Sequence, residues 1–198
     1  MTSWERYKYR DTMPRSLKLR RLVWNIVWTV VFRPTPRGFL NGWRRTLLRM
    51  FGAKIGEGSL IAPSCFVWAP WNLEMGHYSV LGDHVDCYTM AKISIGSKVA
   101  VSQRSFLCAG SHDVTSLLRP LVTAPISIGD HSWISAECMV LPGVNIADGV
   151  VVGARSLVTK DLPAWHICAG NPCRPLKVRN IVQSEEAAAP STGRQLTA

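Results

Sequence analysis

The segment from 111 to 125, SHDVTSLLRPLVTAP, contains the side chains best suited to proton transfer. Its second and third residues are His112 and Asp113. Histidine has an ordinary pKa that leaves much of it neutral near pH 7, so an imidazole can accept the proton of a hydroxyl group. Asp113 could orient that imidazole or contact a substrate, and a solvated loop carboxylate is an equal alternative. The plain alternative for His112 is a loop histidine that only forms a hydrogen bond.

The other histidines and the cysteines form no metal-binding pattern. His77, His84, His131 and His166 give no H-x-x-x-H pair and no cluster with carboxylates. The six cysteines include no C-x-x-C pair, which disfavours a zinc ribbon or a thioredoxin-like motif. We therefore expect no metal, buried thiols that act as small apolar side chains, and a reducing, cytoplasmic setting.

A repeat of six residues must position these groups. The aliphatic members of its clearest run are Ile128, Ile134, Val140, Ile146, Val152 and Val158. The small residues four positions after the first five are Ser132, Cys138, Val144, Val150 and Ser156. Neither a helix nor a long strand has this period. It is typical of a parallel β-helix, in which each repeat forms one flat side and three sides make a coil of about 18 residues.

The same rhythm begins at Ile55 and gives about five coils by Val158. It slips by two residues at three places, which we interpret as a corner stretched before the next side begins. Residues 111–125 lack the rhythm and contain two prolines, so they are expected to leave the β-helix as a loop. Long excursions from a regular scaffold commonly carry function.

Residues 1–54 form a basic, Trp-rich extension. They hold 13 Lys/Arg and 2 Asp/Glu, whereas residues 55–198 hold 10 and 11. Apolar spacing predicts a helix from Leu17, with Ser16 as its N-cap, and a second helix over 39–51. The uncharged run over 22–32 is about half the 20 residues that a bilayer crossing needs.

Two interpretations of this extension remain open, and both can hold together. It could cap the open end of the β-helix, where backbone groups and core would otherwise be exposed. Its basic and aromatic face could also rest on an anionic membrane, with Trp at the headgroup level. Nucleic-acid binding is disfavoured, because no recognised module is present. Residues 55–182 are assigned to the β-helix domain, and residues 183–198 are expected to be a disordered tail.

Together with the repeats, three motifs make the chain resemble the left-handed β-helix acetyltransferases, most closely those assigned to colanic acid biosynthesis. The motifs are LCAGSHD, VVGARSLVTKDLP and AGNPCR, and the resemblance covers about residues 15–180. It implies an all-β fold, a left-handed parallel β-helix of hexapeptide repeats with the N-terminal helical extension. The left hand comes from the resemblance alone, since ordinary β crossovers are right-handed.

The resemblance also implies roles for individual residues. His112 would be the general base that deprotonates the acceptor hydroxyl, which attacks acetyl-CoA directly without an acyl-enzyme, and Asp113 would assist it. Coenzyme A would lie in a groove between two subunits of a homotrimer. Its contacts would be Trp133, Ser135, Gly153, Ala154, Thr159, Lys160 and Arg174. Trp133 precedes an inward aliphatic, so it should point outward; packing against a neighbouring subunit is its plain alternative. Asp86 and Tyr88 are weaker candidates for the acceptor, with a structural role favoured.

The sequence therefore predicts an O-acetyltransferase acting on a sugar or lipid-linked glycan in exopolysaccharide assembly, in the cytoplasm and at the inner face of the membrane. Three rivals remain. They are an acetyltransferase for a free small molecule, a zinc hydratase resembling the γ-class carbonic anhydrases through His77 and His84, and a non-catalytic scaffold.

Overall fold

A computed structural model describes residues 13–181, and the expected disordered tail lies outside the described residues. From Lys54 to Val178 the chain forms very short, mostly parallel strands, stacked as a left-handed β-helix with an additional, partial sixth coil. The all-β prediction and the predicted hand are confirmed.

The strands follow one another in this order: β1 (Lys54–Ile55), β2 (Leu60–Ile61), β3 (Phe66–Val67), β4 (Leu73–Met75), β5 (Val80–Leu81), β6 (Asp86–Tyr88), β7 (Ile93–Ile95), β8 (Ala100–Val101), β9 (Phe106–Cys108), β10 (Gly110–His112), β11 (Leu121–Thr123), β12 (Ile126–Ile128), β13 (Trp133–Ile134), β14 (Met139–Val140), β15 (Asn145–Ile146), β16 (Val151–Val152), β17 (Leu157–Val158), β18 (His166–Gly170) and β19 (Cys173–Val178).

These strands form three faces of a prism and one hairpin. Face A is the sheet β1-β4-β7-β12-β15, and face C is β3-β6-β9-β14-β17. Face B is β2-β5-β8-β13-β16-β18, closed by β19, which returns antiparallel to β18. The antiparallel pair β10 and β11 stands outside the prism. The aliphatic residue of each repeat points inward, so the core is one column of Ile, Val and Leu through all the coils.

The two-residue slips occur within strands, which corrects the stretched-corner interpretation. Leu73 and Met75 are both buried in β4, and the same inward pair recurs in β7 and β12. All three strands belong to face A, where the pairs stack on one another. Face A therefore takes up two extra residues in each of these coils. As a result, Ile55 pairs with Met75, which lies 20 residues later instead of 18.

All six cysteines are buried and free, as expected for small core residues. Burial raises the pKa of Cys168 to about 11. A thiol with so high a pKa carries little thiolate near neutral pH and is a poor nucleophile.

Two helices precede the prism. Helix α1 (Arg15–Val27) continues into a π-helical turn (Trp28–Phe32), and α2 spans Asn41–Met50. The predicted N-cap at Ser16 is wrong: Pro14 precedes the helix and no side chain caps it. A single 3₁₀ turn, Pro70–Asn72, leads into β4.

The helices cap the first coil through side-chain hydrogen bonds to its carbonyl groups. In the body, the N–H groups of one coil donate to carbonyls of the next, as from Leu60 to Ser79. Five equivalent carbonyls of the first coil have no preceding coil whose N–H groups could donate to them. Each accepts from the extension instead: Ile55 from Arg49, Ser59 from Arg45, Ile61 from Arg44, Cys65 from Trp28, and Val67 from Trp24. The arginine and tryptophan side chains of the extension thus cap the open end of the β-helix.

Candidate active site

His112 is placed by a hairpin that projects from the edge between faces C and A. Strand β10 leaves the prism after β9, and β11 returns the chain to β12. His112 pairs with Leu121 at the far end of this hairpin, next to the loop that connects its strands, and is exposed. The predicted excursion is therefore a short two-stranded arm that carries the histidine away from the core.

The ring of His112 is oriented by a backbone carbonyl. Its Nδ1 lies 2.7 Å from the carbonyl oxygen of Arg119, across the hairpin. A carbonyl oxygen only accepts hydrogen bonds, so Nδ1 carries the proton in the neutral ring. The Nε2 atom is then the basic nitrogen, which is the state that a general base requires.

Asp113 binds its own loop. Its Oδ1 accepts hydrogen bonds from the backbone N–H of Thr115 at 2.9 Å and from the Thr115 hydroxyl at 2.6 Å. These bonds hold the pKa of Asp113 below its usual value. The carboxylate fixes the turn that leads to Arg119, and so it supports the hairpin.

Tyr88 lies against the base of the hairpin. A Cβ atom at Gly110 would come within 3.2 Å of the Tyr88 ring and 3.0 Å of the Met90 side chain, so any larger residue would require these side chains to shift. The Tyr88 ring also packs against Trp68, with centroids 5.7 Å apart. The structure thus brings Tyr88 and the arm of His112 to the same edge of the prism.

Asp86 lies two residues before Tyr88 on the outer side of face C. Within the described residues, its Oδ1 is buried and has no hydrogen-bond partner. Burial raises the pKa of this carboxyl group. A buried acceptor without a protein partner is costly, and such groups cluster where a ligand supplies the missing bond.

Most residues expected to contact coenzyme A follow one path along the edge between faces B and C. Trp133 points outward, as predicted, and donates from Nε1 to Ser102 Oγ at 2.9 Å. The Ser135 N–H donates to Val152, directly before Gly153, so Gly153 and Ala154 lie one coil above. Gly153 in turn lies beneath Ala169, the strand partner of Arg174. The path thus has Trp133 at one end, Arg174 at the other, and the backbone of Ser135, Gly153 and Ala154 between them.

Thr159 and Lys160 lie elsewhere, directly after β17 at the edge between faces C and A. This is the edge from which the His112 arm projects, two coils earlier. The whole of face C therefore separates the His112 arm from the path of Trp133. Within one chain, the two groups of candidate residues occupy different edges.

Two of the surface grooves bear on the candidate site. One, of about 520 Å³, is lined by Ala100, Ser102, Arg104 and Glu137, next to Trp133. The other, of about 630 Å³, crosses face A, where none of the candidate residues lies. The smaller groove is the one that matters here, because it continues the path of Trp133 and Ser135.

Two supporting contacts could not be read from the sequence. The Arg119 carbonyl orients His112, and Ser102 fixes the Trp133 indole from 31 residues away. A backbone carbonyl leaves no residue-type signal, and Ser102 falls at an ordinary repeat position. Neither contact had a pattern that would have revealed it.

The chain is similar to proteins named as acetyltransferases along most of its length. The family "Bacterial transferase hexapeptide (six repeats)" matches residues 125–160. Over 163 residues, the chain is 44% identical to WcaF of Escherichia coli (strain K12), a protein named for acetyl transfer in colanic acid biosynthesis. That similarity covers 82% of this chain and 88% of WcaF. The chain belongs to the hexapeptide-repeat acetyltransferases.

Other members of this family extend the likeness. Galactoside O-acetyltransferase of Escherichia coli (strain K12) is 32% identical over 143 residues, which is 69% of each chain. A structure of galactoside acetyltransferase in complex with coenzyme A superposes with a TM-score of 0.71 at 26% identity, covering 91% of this chain and 92% of the other. A hexapeptide-repeat acetyltransferase of Vibrio cholerae shares the fold, with a TM-score of 0.78 at 22% identity over 85% of this chain and 95% of the other.

Two features of residues 13–181 bear on the rival interpretations. This part of the chain brings together no group of three His, Cys, Asp or Glu side chains suited to a metal ion. His77 accepts a hydrogen bond at Nδ1 from the N–H of Glu57. Among the helices of the same range, none combines the length and the apolar character needed to cross a bilayer.

Proposed function

We propose that this protein transfers the acetyl group of acetyl-CoA to a sugar hydroxyl, with His112 as the general base. The observation that carries this proposal is the 2.7 Å contact between His112 Nδ1 and the Arg119 carbonyl. It fixes the neutral tautomer whose Nε2 accepts a proton. The ring stands on an exposed arm, where an acceptor can reach it.

In the proposed reaction, His112 Nε2 takes the proton of the acceptor hydroxyl as its oxygen attacks the thioester carbonyl. Acetyl-CoA supplies the activated acyl group, and its sulfur leaves with the electrons of the broken C–S bond. The proton held on the imidazole is then available to the departing thiolate, so charge and atoms balance. Asp113 acts through the turn with Thr115 that leads to Arg119. Asp86 and Tyr88 are proposed to contact the acceptor beside the arm.

The path along the edge between faces B and C fits coenzyme A in its chemistry. A flat Trp133, held by Ser102, offers a surface for the pantetheine chain. The backbone around Ser135, Gly153 and Ala154 offers hydrogen-bonding groups. The positive charge of Arg174 suits the phosphates of coenzyme A. Lys160 and Thr159, from the edge between faces C and A, add a second positive charge and a hydroxyl group.

We further propose a homotrimer with its sites between subunits. In one chain, face C lies between the His112 arm and the path of Trp133. A second copy, packed beside the first, can bring its own edge against the arm. The two groups of residues would then face each other across one groove, and three such contacts would close a ring.

For the acceptor, the similarity to WcaF favours a glycan of exopolysaccharide assembly, held on a lipid carrier at the inner face of the membrane. A free sugar is the second candidate, because galactoside O-acetyltransferase is also a relative. Both acceptors present sugar hydroxyl groups, so one assay compares them.

The test is thiol release from acetyl-CoA against a panel of free sugars and lipid-linked glycans. His112→Ala is expected to lower kcat by about 10²–10⁴-fold, the usual contribution of a general base. The matched control is His166→Ala, because His166 also holds its Nδ1 2.7 Å from a backbone carbonyl but lies outside the arm. It should retain turnover within about threefold of wild type. Undiminished turnover in His112→Ala would refute the assignment.

A further inference from the structure

Helix α1 and the π-helical turn that follows it expose an aliphatic stripe that no described part of the protein covers. Five residues form it, spaced as neighbours on one helical face: Leu19, Leu22, Val23, Ile26 and Val30. Their exposed fractions run from 46% at Val23 to 65% at Val30. Single exposed aliphatics are ordinary, whereas a continuous row of branched ones indicates an interaction surface.

The stripe is held in a fixed orientation by the opposite side of the same helix. Trp24 is fully buried and donates from Nε1 to Val67 at 2.6 Å, and Trp28 donates to Cys65 at 2.9 Å. Phe32 is also fully buried beneath the helix. These three side chains anchor α1 and the π-helical turn to the first coil. Trp24 and Trp28 are therefore committed to the cap, and a different face of the helix points away from the prism.

The charge around the stripe is of one sign. Residues 13–53 contain no aspartate or glutamate. Arg15, Lys18 and Arg33 lie along the stripe or at its ends, and all three are exposed. An amphipathic helix with a wide aliphatic face and only basic charge matches an anionic lipid surface, where the aliphatics enter the acyl boundary and the cations meet the headgroups.

We propose that the outward stripe of α1 docks the protein on an anionic membrane surface, with the helix lying parallel to the bilayer plane. The stripe supplies apolar burial along about three turns, and the basic residues supply attraction to the headgroups.

This surface lies close to the acceptor side of the candidate site. Arg21, on the side of α1 away from the stripe, stacks over Trp68 at 3.7 Å, and Trp68 packs against Tyr88. Tyr88 in turn lies at the base of the His112 arm. Docking through the stripe would place that arm near the membrane, as a lipid-carried acceptor needs; this last step rests on the proposed function.

The docking itself can be tested without catalysis. Flotation of the full chain would be measured with phosphatidylcholine vesicles that contain or lack phosphatidylglycerol. Wild type should bind the anionic vesicles, and Leu22→Ser/Ile26→Ser should bind at least tenfold more weakly. The matched control is Leu176→Ser/Val178→Ser, which removes two equally exposed aliphatics from β19 and should bind as wild type does. Leu19→Ser/Val30→Ser, at the two ends of the stripe, repeats the measurement if the first pair misfolds.

Three results would overturn the proposal. They are absence of wild-type binding to anionic vesicles, equal binding by wild type and both stripe variants, and a fall in oligomeric mass caused by the stripe variants. The last would show that a second copy covers the stripe. Turnover on a soluble acceptor separates this test from the proposed function: the stripe variants should match wild type there. If wild type itself shows no turnover, the proposed function fails and the vesicle result still stands.

Discussion

Replacing Arg44 by methionine is expected to detach the helical cap from the first coil. Arg44 is fully buried, and the five N–H groups of its guanidinium contact six oxygen acceptors, so one donor is shared. Nε donates to Ile61 at 2.7 Å, and the two terminal nitrogens bind oxygen atoms of the loop before α2 and of Asn41. Within the described residues no carboxylate is paired with it, so carbonyl dipoles stabilise the buried charge. Methionine fills part of the volume and leaves these acceptors without a donor.

The stability cost of Arg44→Met depends on which of the abandoned acceptors can turn towards water. The Ile61 carbonyl belongs to the first coil and stays where it is, whereas the loop acceptors can partly turn towards water. Hydrogen bonds to a charged group contribute about 1.5–3 kcal/mol each, so losing one rigid bond and part of five others should cost about 3–5 kcal/mol. Domains of this kind unfold with about 5–15 kcal/mol, so the loss is a large share of the total.

Urea unfolding followed by tryptophan fluorescence measures this loss, since Trp24 and Trp28 report on the cap. The control is Arg45→Met, which removes one 3.1 Å bond to Ser59. Arg45 is only partly buried, so water weakens this bond and its loss should cost about 0.5–1.5 kcal/mol. Raising the salt concentration should leave the difference between the two variants unchanged, because the Arg44 contacts are buried. If Arg44→Met costs no more than Arg45→Met, the carbonyl-capping argument is wrong.

Two further predictions concern the candidate site. Asp86→Asn should raise stability at pH 7 by no more than about 1 kcal/mol, because it removes a charge that burial disfavours from a carboxyl group that water still partly reaches. Burial raises the pKa of Asp86, so its destabilising charge appears only as pH rises through that pKa. Thermal melts should therefore show the stability gain of Asp86→Asn shrinking towards pH 4. A gain that persists undiminished at pH 4 would contradict this cause. Ser102→Ala removes the acceptor that fixes Trp133 and should raise the KM for acetyl-CoA about fivefold with kcat little changed. Initial rates test this against Ser127→Ala, which breaks a comparable bond to Asn145 on face A, and equal KM values in the two variants would separate Trp133 from coenzyme A binding.

The course of the chain around the prism follows from its local pattern. Because each six-residue repeat places one aliphatic inward, the period alone identified the inward residues from Ile128 to Val158, and it also required residues 111–125 to leave the prism. The outward direction of Trp133 followed from the same alternation. The slips did not: only the stacking of Leu73 and Met75 on equivalent pairs one coil later shows that face A, rather than a corner, takes up the extra residues.

The sequence by itself determined the fold class, the buried column and the place of the interruption, since each depends on residue types at short, regular spacing. Tertiary structure decided which acceptors Trp24, Trp28 and Arg44 satisfy, and so which face of α1 remains outside. It also decided that a carbonyl at Arg119 orients His112, while Asp113 binds Thr115. These outcomes depend on where unpaired backbone oxygens lie in space. Every residue has such an oxygen, so residue types alone carry no sign of which ones need a partner.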